Sequence, residues 1–396
     1  MSKHWLLAAA LGAIATGTAM AATEQLTPGT VLTKAEIAQA KPWLSPGVEW
    51  CLRNGMKIEV GATEPVHPPR EYLEATEKYA SQTRLSADGR SVENYVAGLP
   101  FPIIDPNDAQ AGSKVMWNFE YSWFYTDDVS LDNFAATTGA VDEHGAVSLE
   151  RLIVMSHYKR LKYTGRLFVD PKPTWKTSDN RRYAEILSPV IEPYDLKGVG
   201  TLYYRYNNPD QSDDTFTYLP SLRRVRRYST TERSLGQFGT DFDIDSYAAY
   251  SGQISWTDWK YLGEREVLVP VHTRDYPPSM PLERFAPDDL WEKRKVHVVE
   301  GTSRLPQYAY SKRTLYVDKE FWRSPIEDIY DHRGQLWKVL IDFFSFRPKA
   351  FEGAKLASYG YDAGFMPYEI IVDVQAHHSS SSIQPLASRY QGEEGW

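Results

Sequence analysis

Alternating apolar and polar residues dominate the chain from about residue 114 onward and predict a protein built mainly of β-strands. The clearest alternation sets Val115, Trp117, Phe119, Tyr121, Trp123 and Tyr125 against polar neighbours, and a period of two is typical of a half-buried strand. A strand of that length would be roughly 36 Å long at about 3.3 Å per residue, so we expect a tall, curved sheet. Further strands are predicted over 151–158, 162–169, 202–206, 215–219, 222–228, 266–271, 295–300, 312–318, 336–343 and 368–374.

Two segments near the N-terminus carry a helical pattern. Residues 33–40 are good helix formers, and in 69–85 Pro69 suits a first helical turn. In the second segment, Tyr72, Thr76 and Tyr79 fall on one face at helical spacing. A few early helices followed by many antiparallel strands predict a large open or partly closed barrel, with the helices over one mouth or face.

The first residues have the order of a cleavable signal peptide. Lys3 precedes an apolar run over 5–15, and the small residues Ala19 and Ala21 follow it. The run is shorter than the roughly 20 apolar residues that cross a bilayer. We therefore predict cleavage after Ala21 and export to the bacterial periplasm.

The mature chain, 22–396, is expected to form a single domain because its aromatic residues are evenly spread and no linker divides it. We expect a helical or lid region over about 22–94, a β-rich body over about 95–375 and a flexible tail over about 376–396. The formal charge of −8 argues against a nucleic-acid partner. No second apolar stretch is long enough to span a membrane, and the single cysteine, Cys51, is expected to be a small buried apolar residue.

Motifs that carry catalysis or hold a cofactor are not found in the sequence. It shows no nucleophile elbow, phosphate loop or dinucleotide fingerprint, so we predict a non-enzymatic protein with no cofactor and no catalytic residue. No metal site is predicted either, because the histidines lack ligand spacing. Asp241, Asp243 and Asp245 could mark a calcium loop, but Ser246 and Gly252 stand where that loop needs glycine and glutamate. A solvated or arginine-paired face is the favoured interpretation.

The most unusual segment is 218–228, which holds four arginines within five positions. On a strand, Arg224 and Arg226 would point to one face and Arg223 and Arg227 to the other. A buried pair would need an anion. That anion could be a carboxylate of the chain, from Asp241, Asp243 or Glu300, or the head group of a bound amphiphile, in which case Tyr218, Arg224 and Arg226 would contact the ligand.

Several blocks of sequence, taken together in their order and spacing, resemble a known family. They are 95–102, 218–227, 259–263 with 268–270, 291–294 with 298–301, 310–318 and 330–337. The family is the one called domain of unknown function 1329, whose periplasmic members are related to the lipoprotein carrier LolA and its receptor LolB. The resemblance covers most of the mature chain and is weakest before Tyr95.

This resemblance implies a mainly β (α+β) fold, in which a large curved antiparallel sheet forms an unclosed LolA-like barrel and a few helices cover an apolar cavity. It implies a non-enzymatic carrier or chaperone for a lipid or other hydrophobic molecule, working with an efflux-type inner-membrane transporter and an outer-membrane partner. Trp117, Phe119, Tyr121 and Trp123 could line such a cavity, although a filled barrel would use the same residues in its core. The alternatives are an adaptor that binds such a partner without a ligand, and an enzyme acting on an envelope component.

Overall fold

The computed structural model describes residues 26–125, 127–175, 179–227, 233–273, 283–346, 364–383 and 388–389. The signal peptide predicted over 1–21 lies outside these residues, as do the last seven residues of the predicted tail, 390–396. No helix in the described ranges is long and apolar enough to cross a membrane.

The α-helices of the described chain all precede the long strands of the main sheet. They are α1 Ile37–Ala40, α2 Pro46–Arg53, α3 Arg70–Tyr79 and α4 Ala111–Glu120. Short 3-10 turns occupy Lys34–Glu36, Lys41–Trp43, Ala80–Gln82, Tyr194–Leu196 and Ile254–Trp256. The helices predicted over 33–40 and 69–85 are confirmed, the second being shorter at its C-terminal end. Cys51 is buried in α2, as expected.

The strands account for most of the remaining chain. In the first part they are β1 Val31–Leu32, β2 Ile58–Val60, β3 Arg84–Leu85, β4 Val92–Glu93, β5 Asp128–Val141, β6 Val147–Lys162, β7 Arg181–Leu187, β8 Val190–Glu192, β9 Gly200–Tyr206, β10 Asp214–Leu219 and β11 Arg224–Arg227. They continue as β12 Thr257–Val269, β13 Asp289–Ser303, β14 Lys312–Asp318, β15 Ile326–Tyr330, β16 Leu336–Ser345, β17 Phe365–Asp373, β18 His378–Ile383 and β19 Ser388–Arg389.

Two antiparallel meanders share one large sheet. The N-terminal meander runs β5-β6-β7-β9-β10-β11, and the C-terminal meander runs from β12 to β18 in chain order. They join where β18 pairs antiparallel with β5, and β2 adds a parallel pairing at the start of β13. Among the described strands no pairing links β11 to β12, so the curved sheet stays unclosed and the predicted fold class is confirmed.

The serine-rich segment that joins the meanders corrects the prediction of a flexible tail from about residue 376. Residues Ser379 to Ser382 are buried in β18. The Thr137 and Ser381 hydroxyls lie 2.5 Å apart, and Ser380 Oγ donates to Asp241 at 2.7 Å. Small hydroxylated side chains fit between two neighbouring strands, where Ser380 and Ser381 find hydrogen-bond partners. This strand therefore has no apolar periodicity that would identify it in the sequence.

The strand predicted from residue 114 is wrong, because this segment forms α4 and the turns after it. The helix is buried almost all round, so its bulky residues follow no single stripe and also fit a period of two. Gly112 permits the close packing, since a Cβ there would lie 2.5 Å from the carbonyl oxygen of Trp259 in β12. Trp117, Phe119 and Trp123 consequently fill the core instead of facing a cavity.

Helices α2 and α4 pack against the C-terminal meander and leave part of the N-terminal meander uncovered. Helix α2 lies on β15 and β16, where the Ser45 hydroxyl and the Gly47 amide donate to Asp328 Oδ1 at 3.0 Å and 2.9 Å. Helix α4 lies on β12 and β13. The C-terminal meander thus carries a filled core, and part of the N-terminal meander has a face that no helix covers.

Gly47 tests the contact between α2 and the sheet. A Cβ at this position would collide with Asp328 and Val339. We expect Gly47→Ala to lower the free energy of unfolding by about 1–3 kcal/mol through overpacking, which outweighs a gain of roughly 0.5–1 kcal/mol in helix propensity. Urea denaturation measures the change, and Gly61→Ala is the control because its Cβ would meet only ordinary contacts. Equal stability of both variants would contradict this packing.

Candidate functional site

A cavity of about 1310 Å³, part of it open to solvent, lies against one face of the N-terminal meander. Strands β6, β7, β9 and β10 form its wall, and the segment 237–251 crosses over it. Strands β17 and β18 reach it from the other side of the seam with Met366, Glu369 and Ser382. The cavity is therefore built at the junction of the two meanders.

The wall residues fall into two rows, because neighbouring strands are in register and every second side chain faces the same side. The first row, from β6 to β10, is Arg160, Glu185, Tyr203 and Thr215. The second row is Tyr158, Leu187, Thr201 and Thr217, which Leu131 of β5 extends. Aromatic and aliphatic groups thus alternate with a few polar ones along a continuous surface.

Buried ion pairs hold the crossing segment in place. Arg233 contacts Asp213 at 3.1 Å, next to the start of β10, and also pairs with Asp245 of the segment. Asp243 lies 3.7 Å from Arg313, and Asp245 accepts from the Tyr308 hydroxyl at 2.9 Å. The arginine-paired interpretation of Asp243 and Asp245 is confirmed, although these residues lie in turns and not on a strand.

Residues of both rows form one polar cluster on the wall. The Tyr158 hydroxyl donates to Glu185 at 2.9 Å, and Arg160 lies 3.6 Å from the same carboxylate. The Arg160 guanidinium also stacks over the Tyr183 ring, 4.0 Å from its centroid. The charge of Arg160 is thus already balanced inside the protein.

A second polar cluster, which we call the floor cluster, consists of Arg323, Asp342 and Glu369. Asp342 of β16 and Glu369 of β17 are directly opposite each other in the sheet and are 0% and 1% exposed. Glu369 Oε2 accepts from the Ala248 amide at 2.9 Å, whereas Glu369 Oε1 and both carboxylate oxygens of Asp342 lack a hydrogen-bond partner among the described residues. Arg323 and Glu369 line the cavity, and Asp342 lies behind Glu369.

Burial controls the protonation of this cluster. Loss of solvation raises the pKa of Glu369 to about 8. It also raises the pKa of Asp342 well above its ordinary value, and the charge of Glu369 adds to that rise while Arg323 opposes it. At neutral pH the cavity floor therefore presents a guanidinium beside carboxyl groups that tend to hold their protons.

None of the seven residues singled out from the sequence as ligand contacts lines this cavity. Trp117, Phe119 and Trp123 are in the core, and Tyr121 is buried against Tyr95 with their ring centroids 3.9 Å apart. Phe119 comes nearest to the site, because Arg323 lies over its ring at 3.8 Å.

Tyr218, Arg224 and Arg226 lie on the exposed β10–β11 hairpin. The expectation of an inward arginine pair is wrong, because every residue of β11 is exposed and the strand is covered on neither face. The carboxylates proposed as its partners bind elsewhere: Glu300 pairs with Lys312 at 2.7 Å, and Asp241 with His378 at 2.7 Å.

Sequence reasoning missed Arg323 and Glu369. Glu369 had a detectable signal, because it is the only charged residue in the otherwise apolar and aromatic run 368–372 of a predicted buried strand. Arg323 had none, since it lies in the connection between β14 and β15 and reaches the cavity only through folding. No three His, Cys, Asp or Glu side chains of the described chain form a group that could hold a metal ion.

The exposed position of the β11 arginines predicts a small effect on stability. Replacing both Arg224 and Arg226 with Gln should change the free energy of unfolding by no more than about 0.5 kcal/mol. Arg205→Gln is the contrasting variant, because Arg205 is fully buried and pairs with Asp213 at 2.9 Å; it should lose about 3–5 kcal/mol. Urea denaturation of the two variants measures both changes. A large loss of stability in the double variant would contradict the exposed position of the hairpin.

The raised pKa of Glu369 predicts a dependence of stability on pH. The folded protein holds this proton up to about pH 8, whereas the unfolded chain releases it near pH 4.5. The stabilisation is therefore fully present below that lower pH and is lost as the pH rises through the folded pKa. Between pH 5 and pH 8, wild type should lose stability relative to Glu369→Gln by on the order of a few kcal/mol. Glu77→Gln, at an exposed position, is the control and should follow the pH profile of wild type. A Glu369→Gln profile parallel to that of wild type would contradict the raised pKa of Glu369.

Comparison with known proteins relates the chain to several others. An uncharacterized protein of Pseudomonas aeruginosa is 25% identical over 351 residues, which cover 80% of this chain and 69% of that protein. A solved DUF1329 family protein from Desulfovibrio piger is 14% identical, with a TM-score of 0.49 over 73% of this chain and 95% of that one. An outer membrane lipoprotein-sorting protein domain from Vibrio parahaemolyticus is 16% identical, with a TM-score of 0.49 over 72% and 94%.

A family model covers nearly all of the chain and confirms the resemblance seen in the sequence blocks. It is described as a protein of unknown function, DUF1329, and matches residues 31–384. The match includes both meanders, the seam between them and every residue of the floor cluster. The chain therefore belongs to the DUF1329 family.

Proposed function

We propose that this protein is a periplasmic, non-enzymatic carrier or chaperone for a lipid or another hydrophobic molecule. The observation that supports this proposal most is the unequal filling of the sheet. Helices α2 and α4 pack a core onto the C-terminal meander, whereas β6, β7, β9 and β10 of the N-terminal meander face the cavity. Ligand sites in proteins are typically concave and have mostly apolar walls with a few polar groups.

The side chains that line the cavity support ligand transport more than catalysis. The side chains that face the cavity include no histidine or cysteine among the described residues. Its polar groups are instead two arginines, three glutamates and a few hydroxyls set among tyrosines and aliphatic residues. Tyrosine suits a wall of this kind, because its ring offers a large apolar surface and its hydroxyl a single polar contact.

The periplasmic location is supported by the order of charged, apolar and small residues at the N-terminus. A hydrophobic molecule that crosses the aqueous space between two membranes needs its apolar surface covered. A cavity that is partly open to solvent and lined by tyrosine and aliphatic side chains would cover such a surface. In this proposal the carrier works with an efflux-type inner-membrane transporter and an outer-membrane partner.

An adaptor that binds a protein partner through its surface is the second candidate, and the exposed β10–β11 hairpin favours it. Tyr218, Leu222 and Val225 are 42%, 48% and 61% exposed beside the four arginines. Exposed apolar groups with charged neighbours are common at interaction sites. Cross-linking in whole cells separates the candidates: an adaptor would lose its partner when the hairpin is changed and keep it when the cavity is filled.

Filling the cavity tests the carrier directly. Thr201 lies in the second row, with its hydroxyl 3.2 Å from that of Thr217, and Thr201→Phe would place a ring in the middle of the wall. We expect the variant to bind the neutral probe N-phenyl-1-naphthylamine at least about tenfold more weakly than the delipidated wild type, a difference of roughly 1.4 kcal/mol. Fluorescence titration measures the affinity.

The matched control is Thr302→Phe, which makes the same change at an exposed position of β13. It should bind the probe as wild type does. A folded Thr201→Phe protein with unchanged affinity, or a wild-type protein that binds no probe and carries no extractable lipid, would contradict the carrier.

A further inference from the structure

We infer that the cavity takes a fatty acid, whose carboxylate lies against Arg323 and Glu369 while its chain lies along the two rows of the wall. This inference rests on the proposed carrier function and names the chemical class of its ligand. It places the head group at a buried cluster that was not singled out from the sequence, and not at the exposed β11 arginines.

Arg323 is the first reason, because it is a buried cation without a carboxylate in contact. Its side chain is 5% exposed, and its Nη2 donates to the Ala248 carbonyl at 2.6 Å. No carboxylate of the described chain lies within ion-pair distance of the guanidinium, and its Nε has no acceptor. Carbonyl oxygens satisfy N–H groups but leave the charge unbalanced, and a buried charge is costly unless it is paired.

Glu369 and Asp342 are the second reason. Arg323 acts electrostatically on both carboxyl groups, but burial favours their protonated forms, so they do not fully neutralise Arg323. A protonated Glu369 offers an O–H donor at its unpartnered Oε1, in the same cavity lining as the guanidinium. A carboxylate has two oxygens that can accept from both groups at once, and hydrogen bonds with a charged partner are the strong ones.

The rest of the cavity favours a carboxylate over a larger or more highly charged head group. Arg160, the other arginine of the lining, is already balanced by Glu185. Glu120, a further charged residue of the lining, pairs with Arg182 at 3.1 Å. Arg323 is thus the cation of the lining without an ion-pair partner among the described residues, and it matches a single negative charge. The lining also offers apolar and aromatic surface, with Met366 and Tyr247 and with Leu131 and Leu187 of the second row, as an alkyl chain requires.

A pair of ligands that differ only in the head group tests this inference. Delipidated mature protein is loaded with N-phenyl-1-naphthylamine, and the probe is displaced by dodecanoate or by dodecan-1-ol below their aggregation limits. Wild type should bind dodecanoate at least tenfold more tightly than dodecan-1-ol. Arg323→Gln should bind the two within about threefold of each other, through a loss of dodecanoate affinity alone.

Arg224→Gln is the control. It lies on the exposed hairpin, outside the cavity lining, and should keep the wild-type preference. If Arg323→Gln does not fold, the ratio of the dodecanoate and dodecan-1-ol affinities of wild type still tests the inference.

The possible results separate this inference from the carrier function. If wild type binds the probe and both ligands with equal affinity, the head-group site is overturned and the carrier stands. Retention of the dodecanoate preference in folded Arg323→Gln would also overturn the site. If wild type binds neither the probe nor either ligand, the carrier and the head-group site both fail.

Discussion

The pairing of β18 with β5 is the constraint on which the rest of this structure depends. Six residues of β18, from His378 to Ile383, run antiparallel to Ala135–Ala140 and turn two meanders into one sheet. Each meander alone would expose a long strand edge, which is a site for aggregation. The seam also creates the cavity, because Glu369 and Ser382 come from one meander and Tyr158 and Arg160 from the other.

Buried charges in the described chain follow a pattern that distinguishes structure from function. Arg166 pairs with Asp128 at 2.8 Å, and Arg313 with Glu327 at 3.0 Å. Pairs of this kind cost much to break, so they fix the strands and loops that they join in one arrangement. Arg323 is as buried as these arginines but has no carboxylate of the described chain in contact, so its charge can be balanced by a ligand.

Much of the fold was predictable, because its evidence is local. Strands rich in β-branched, aromatic and other apolar residues, such as β14 and β16, and the amphipathic helix α3 were found near their true positions. The failures have physical causes. A fully buried helix such as α4 imitates a strand, and a strand of small polar residues such as β18 imitates a tail, since tertiary contacts alone decide both.

The candidate site was less predictable than the fold. The aromatic run around Trp117 is prominent in the sequence, but core packing uses aromatic residues as readily as a cavity does. The arginine run around Arg224 is equally prominent, but charge in sequence does not reveal which face of an edge strand is covered. Arg323 and Glu369 are separated along the chain and meet only in the folded protein, so no spacing rule could connect them.

The most direct test of the central claim, that the cavity holds an apolar chain, is a crystal structure of the protein with 12-bromododecanoate. Bromine scatters anomalously, so its peak marks the end of the chain without reference to the rest of the density. We expect one bromine peak inside the cavity, near the rows that hold Leu187 and Thr201, with the carboxylate at Arg323. A cavity filled by its own side chains, or bromine bound only on the protein surface, would contradict it.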